Sequence, residues 1–190
     1  MLGRTPALLT ALLIAVLAAV GCDPTPQRYS QQFVAMGTDG SFTVVADDPE
    51  TARKGMENAL AVVQQVEALM STYRPSSEVS RINAAGPDTV VQVSPMTAEV
   101  IREAVRMAAV TDGTFNVTYA PLRTVWRNAA EEGREPTEEE LKQALALVGT
   151  DKIVITDEGV ALAMPGMEVD LGGIAKGYAI DRAADALEKA

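Results

Sequence analysis

The sequence predicts an α+β fold in which short, mainly antiparallel strands pack with three to four helices. Three observations lead there. Short apolar runs are joined through turn residues with no helix between them, as in hairpins. Longer stretches carry apolar residues at helical spacing behind recognisable capping residues. The two kinds of segment do not alternate strictly, as a doubly wound parallel sheet would require.

Residues 1–21 read as a signal peptide. Arg4 supplies the positive start, and Ala7 to Val20 is an apolar run broken only by Thr10, short for a membrane span. Ala19-Val20-Gly21 before Cys22 resembles a bacterial lipobox, with Ala19 where leucine is preferred, so Cys22 is expected to be lipidated. An ordinary signal peptide with a stray thiol is the alternative. Residues 22–32, with Pro24 and Pro26, read as a tether, and residues 33–190 as the domain.

Within the domain, Phe33 to Met36 and Ser41 to Ala46 flank Gly37-Thr38 and predict a hairpin. Asp48 caps a helix with Pro49 at its first position, whose apolar stripe runs from Met56 to Met70. Ser77 to Asn83 predicts a short polar helix or turn with a Glu78/Arg81 surface pair. Val90 to Val93 follows as a strand. Ser94-Pro95 caps a helix buried through Val100, Ile101, Ala104, Val105 and Ala108 and ended by Gly113. Thr114 to Thr118 reads as extended, leading through Pro121 to Trp126, and residues 127–136 as a charged loop. Thr137 and Glu140 form a capping box for a helix to Val148, and Lys152 to Ile155 with Val160 to Ala163 a second hairpin.

Composition excludes some chemistry. Net charge is −10, from 16 basic and 26 acidic residues, with no basic run to follow a phosphate backbone, so no nucleic-acid partner is expected. There is no histidine, so no histidine-containing triad can be built from these residues. Cys22, the single cysteine, has no internal disulfide partner.

The stretch Asp170 to Asp181 is read as strand, turn and helix. An extended run from Met167 to Leu171 meets Gly172-Gly173, and Ile174, Ile180, Ala184 and Leu187 then take up a helical period. Glycines there allow unusual backbone angles and close approach of a ligand, the first helical N–H groups attract an anion, and Lys176 adds a positive charge. The spacing matches neither a dinucleotide fingerprint nor a Walker loop. A phosphate site and a plain tight turn with a solvated lysine both remain open on spacing alone.

Taken in order, four motifs change that balance: Met36-Gly37-Thr38; Ser71 to Arg74 leading into Ser77 to Asn83; Gly113 to Thr118 with Pro121, Leu122 and Trp126; and Asp170 to Asp181. Together they resemble the ApbE-type flavin transferases, the FAD:protein FMN transferases also called thiamine biosynthesis lipoproteins. The resemblance implies a magnesium-dependent bacterial enzyme, lipid-anchored on the outer face of the cytoplasmic membrane. It would move FMN from FAD to a threonine or serine hydroxyl of an acceptor subunit in a membrane electron-transport complex, releasing AMP. Similar proteins hydrolyse FAD to FMN and AMP.

Carried over by motif, Met36 and Tyr73 resemble flavin contacts, where a thioether and an aromatic face suit a flat ring, although both also suit an ordinary core. Thr114, Phe115 and Asn116 correspond to a segment placed against FAD. Many members have aspartate at the position of Asn116, so only a hydrogen-bonding role carries over. Asp170 and Lys176 correspond to FAD contacts flanking the turn, and the Gly173 carbonyl to a magnesium ligand. Asp181 fits either an adenosine contact or a surface carboxylate.

Two other classes remain: a lipoprotein that binds FAD without transferring it, and a structural envelope lipoprotein. The chain reads as the N-terminal part of the transferase domain, since Tyr178 to Ala190 runs in helical register with no Gly, Asn or Pro to close it. Catalytic residues and the remaining metal ligands are expected beyond residue 190, and these residues by themselves are expected to be inactive.

Overall fold

The computed structural model describes residues 25–190. Strands β1 (Gln27–Ala35) and β2 (Thr38–Ala46) form an antiparallel hairpin in which Gln27 pairs with Ala46 and Ala35 with Thr38. The strand reaches back to Gln27, so residues 27–32, expected in the tether, are part of the hairpin. Its two-residue turn is Met36-Gly37, both left-handed, with φ of 53° and 71°. That is the twist a tight hairpin needs.

Helix α1 (Pro49–Met70) starts where the cap predicts: the Asp48 carboxylate accepts from the N–H groups of Glu50 and Thr51 at 2.9 Å each. Its buried stripe, Ala52, Gly55, Met56, Ala59, Val63, Val66 and Met70, packs on the hairpin and on the last helix, α6 (Ala175–Glu188). The buried residues of α6 are Ala175, Ala179 and Ala183, and Ile180 is 67% exposed. Of the expected stripe, Ile174 and Leu187 pack against the core, whereas Ile180 and Ala184 face away from it. Small residues win because the two helices approach closely; a side chain on Gly55 would stand 3.5 Å from the Leu187 side chain of α6.

Helix α2 (Glu78–Ala84) is capped by the buried Ser77 hydroxyl, which accepts from Ser80 N–H at 3.0 Å. Glu78 does more than the surface pair expected of it. Arg81 stands 3.8 Å away, while the Glu78 carboxylate accepts from both the backbone N–H and the hydroxyl of Ser94 at 2.8 Å. It thereby fixes the start of α3 (Pro95–Val110).

The segment Val90 to Val93 forms a single antiparallel bridge, Val91 with Val160, in place of a strand. Residues 114–118 are a turn and not extended. Helix α4 (Ala120–Glu131) occupies the connection through Pro121 to Trp126 and the first half of the expected charged loop. Pro121 opens this helix, since a first-turn residue needs no N–H partner. Helix α5 (Glu138–Ala146) has the predicted capping box, and β3 (Ile153–Ile155) pairs with β4 (Val160–Leu162) as the second hairpin, after one turn of 3-10 helix at Thr150–Lys152. Two antiparallel hairpins and six α-helices among the described residues make an α+β fold. The signal-peptide segment and Cys22 lie outside the described residues.

Candidate functional site

The hairpin tip, the end of α1 and the start of α6 meet around a cavity of about 370 Å³. Met36, Tyr73, Asp170 and Lys176 all line it, together with Arg74 and Gly172. Four of the expected ligand contacts, far apart in sequence, are thus in one place. Its volume lies at the small end of ligand pockets.

Met36, Tyr73 and Lys176 are each positioned by a local cause. Met36 is held over the cavity by the hairpin turn. Tyr73 follows the end of α1, where Ser71 is in extended geometry and its hydroxyl accepts from Tyr73 N–H at 3.2 Å. The ring is 92% exposed. The core alternative for Tyr73 is therefore excluded among the described residues, because it does not pack against their core. Lys176 sits in the first turn of α6, exposed, with no ion-pair partner among the described residues.

Asp170 is only 7% exposed and fully partnered. One carboxylate oxygen accepts from Gly172 N–H at 2.8 Å; the other accepts from the Arg123 guanidinium and faces the Tyr119 hydroxyl at 3.4 Å. Burial is the largest influence on Arg123 and works against its charge, but the hydrogen bond and charge of Asp170, with Tyr119, together outweigh it, so its pKa lies above the usual arginine value. Neither Arg123 nor Tyr119 was expected at the site. Their spacing, i and i+4 on either side of a proline that opens a helix, was the available signal.

The double glycine behaves differently from expectation. Neither Gly172 nor Gly173 has a positive φ. They are needed for closeness, since a side chain on Gly173 would lie 3.2 Å from the Phe115 ring and one on Gly172 3.0 Å from the Asp170 carboxylate. Three N–H groups of the turn are already used: Gly172 donates to Asp170, and Ile174 and Ala175 both donate to the Leu171 carbonyl at 3.0 and 2.8 Å. Attraction for an anion here comes chiefly from Lys176.

Thr114, Phe115 and Asn116 do not line the cavity. Thr114 is exposed and the Phe115 ring packs against Gly173. The side-chain oxygen of Asn116 accepts from the Thr118 N–H at 3.0 Å and hydroxyl at 2.7 Å, closing its own turn. An aspartate would offer the same acceptor. Asp181 is exposed and lines a second groove of about 680 Å³ between α3 and α6. In that groove Tyr178 donates to Glu99 at 2.7 Å, and burial, followed by this bond, pushes its pKa up to about 12.

The described residues alone do not compose a magnesium site. Among them no group of three or more His, Cys, Asp or Glu could hold a metal, and the nearby Asp170 carboxylate is committed to Gly172 and Arg123. The Gly173 carbonyl is a single donor, and magnesium asks for about six oxygens.

The ApbE family model matches residues 36–190. A FAD:protein FMN transferase of Haemophilus influenzae is 34% identical over 188 residues, covering 91% of this chain and 53% of its own length. Among solved structures, the flavin transferase ApbE from Vibrio cholerae superposes with a TM-score of 0.75 at 28% identity, covering 87% of this chain and 54% of that one. The apo flavinyl transferase ApbE of Pseudomonas stutzeri gives 0.76 at 26% identity, with 86% and 52% covered. The chain spans about half the length of the curated relatives it matches.

Proposed function

Because the chain belongs to the ApbE family, we propose that its protein is an FAD:protein FMN transferase acting on FAD as substrate. The observation that carries this reading is the cavity at the hairpin tip, where a thioether, an exposed aromatic ring and an uncommitted lysine converge. Met36 and Tyr73 hold the flavin ring, and Lys176 meets the phosphate nearest to it. In the reaction the pyrophosphate bond of FAD breaks at the FMN phosphorus, and the acceptor's threonine or serine oxygen forms the new ester. The hydroxyl proton is released, and AMP leaves. Such transfer depends on positioning and charge stabilisation. Magnesium is expected in the complete site, with the Gly173 carbonyl as the contribution from these residues. The acceptor is a subunit of a membrane electron-transport complex.

The test incubates the protein, with its natural flanking sequence, with FAD, magnesium and a threonine-bearing acceptor. AMP release together with flavin that survives denaturation of the acceptor is the expected result. AMP and FMN without covalent flavin would make it a hydrolase, and saturable retention of intact FAD a carrier. No binding at all would overturn the reading.

The cell envelope is the proposed location, on the periplasmic side of the cytoplasmic membrane through a lipid on Cys22. The support is the Ala19-Val20-Gly21-Cys22 junction behind an apolar leader. Mass spectrometry of the mature N-terminal peptide should find Cys22 first and lipid-modified. Cleavage elsewhere, or a free thiol, would remove the anchor from the proposal.

A further inference from the structure

Arg123 lies outside the cavity, behind Asp170, on a helix that contributes nothing else to the wall. Its position answers an electrostatic difficulty. The charged residues lining the cavity are Glu67, Arg74, Asp170 and Lys176, two of each sign. Glu67 and Arg74 face each other at 3.6 Å. That leaves a buried carboxylate, Asp170, in the same wall as the one lysine expected to meet a phosphate. Left unneutralised, Asp170 would attract Lys176 and repel the ligand's phosphates. Arg123 removes the conflict by binding the Asp170 oxygen that Gly172 does not use. Its guanidinium also stands 5.4 Å over the Tyr119 ring, which limits where it can go.

We propose that Arg123 is a positioning residue that makes the cavity prefer phosphorylated flavins over phosphate-free ones, by engaging Asp170 so that Lys176 stays uncommitted. The inference rests on the flavin reading above and adds to it a determinant of ligand charge. Arg123 does not touch the ligand. It acts through Asp170, and its effect is confined to the charged part of what binds.

The experiment measures FAD and riboflavin affinities by fluorescence quenching, on the protein with its natural flanking sequence, at about pH 8 where carboxylates are ionised. Arg123→Gln keeps an amide donor for the carboxylate and removes the charge. It should weaken FAD about three- to tenfold and leave riboflavin within about twofold. Added salt should weaken FAD binding less in this variant than in the wild type. Arg123→Lys should restore the preference for FAD. Equal losses for both flavins would show that Arg123 only supports the fold around Asp170, and would overturn the proposal. If Arg123→Gln does not fold, Arg123→Lys decides: preserved FAD preference supports the proposal, and a parallel loss for both ligands overturns it. If riboflavin binds too weakly to measure, the salt dependence of FAD binding decides in the same way. A wild-type protein that binds neither flavin overturns the flavin reading itself, before any variant is compared.

Discussion

Replacing Asn83 by alanine should destabilise the fold by about 2 to 4 kcal/mol, because it leaves two backbone groups of a buried residue unpaired at once. The Asn83 amide donates to the Val169 carbonyl at 2.9 Å, and its oxygen accepts from the Val169 N–H at 2.8 Å. Val169 itself is fully buried. Among the described residues no strand pairs with this segment, so one side chain on α2 supplies both bonds that a neighbouring strand would make. The melting temperature should fall by roughly 5 to 15 °C. Amide exchange at Val169 should accelerate in the variant. A melting temperature unchanged within about a degree would mean that water or a shifted backbone replaces both bonds. Since Asp170 follows Val169 directly, the variant should also bind FAD more weakly even under conditions where it is folded.

Lys176→Ala should do the opposite: little to the fold and much to the ligand. The side chain is exposed and makes no ion pair among the described residues, so its removal costs the folded state almost nothing. Loss of one charge-assisted contact should weaken FAD binding by about 1.5 to 3 kcal/mol, on the order of ten- to a hundredfold. Titration of FAD into wild type and variant, beside a thermal melt of each, separates the two effects. Unchanged affinity with a lower melting temperature would assign Lys176 to structure and move the phosphate elsewhere.

What could be read from the sequence was whatever is decided locally. Asp48, Ser94 and Thr137 each announce a helix start because a cap acts within three residues of itself. The two hairpins were readable for the same reason. Helix α4 was not, because Pro121 stops a helix from within and opens one at its first turn, and only the packing on α5 selects between them. On α6 side-chain size points to Ile180 as buried beside Ile174 and Leu187, whereas close approach to α1 selects alanines. At the site, Met36, Tyr73, Asp170 and Lys176 were found through motifs and do share one cavity. Arg123, Tyr119 and the Asn83 bridge were missed. Each is a partnership across 47 to 86 positions of chain, and no local pattern encodes it.

The turn at Met36 bears on how freely this protein can change. A non-glycine residue with φ of 53° is strained by about 1 kcal/mol or more, and asparagine or glycine would sit there more comfortably. Methionine at position 36 forgoes that relief and places a thioether in the wall of the cavity. Mutational tolerance at this position should therefore divide by assay. Glycine or asparagine at position 36 should survive a screen for folded protein, and only residues with a long apolar side chain should survive a screen for flavin binding.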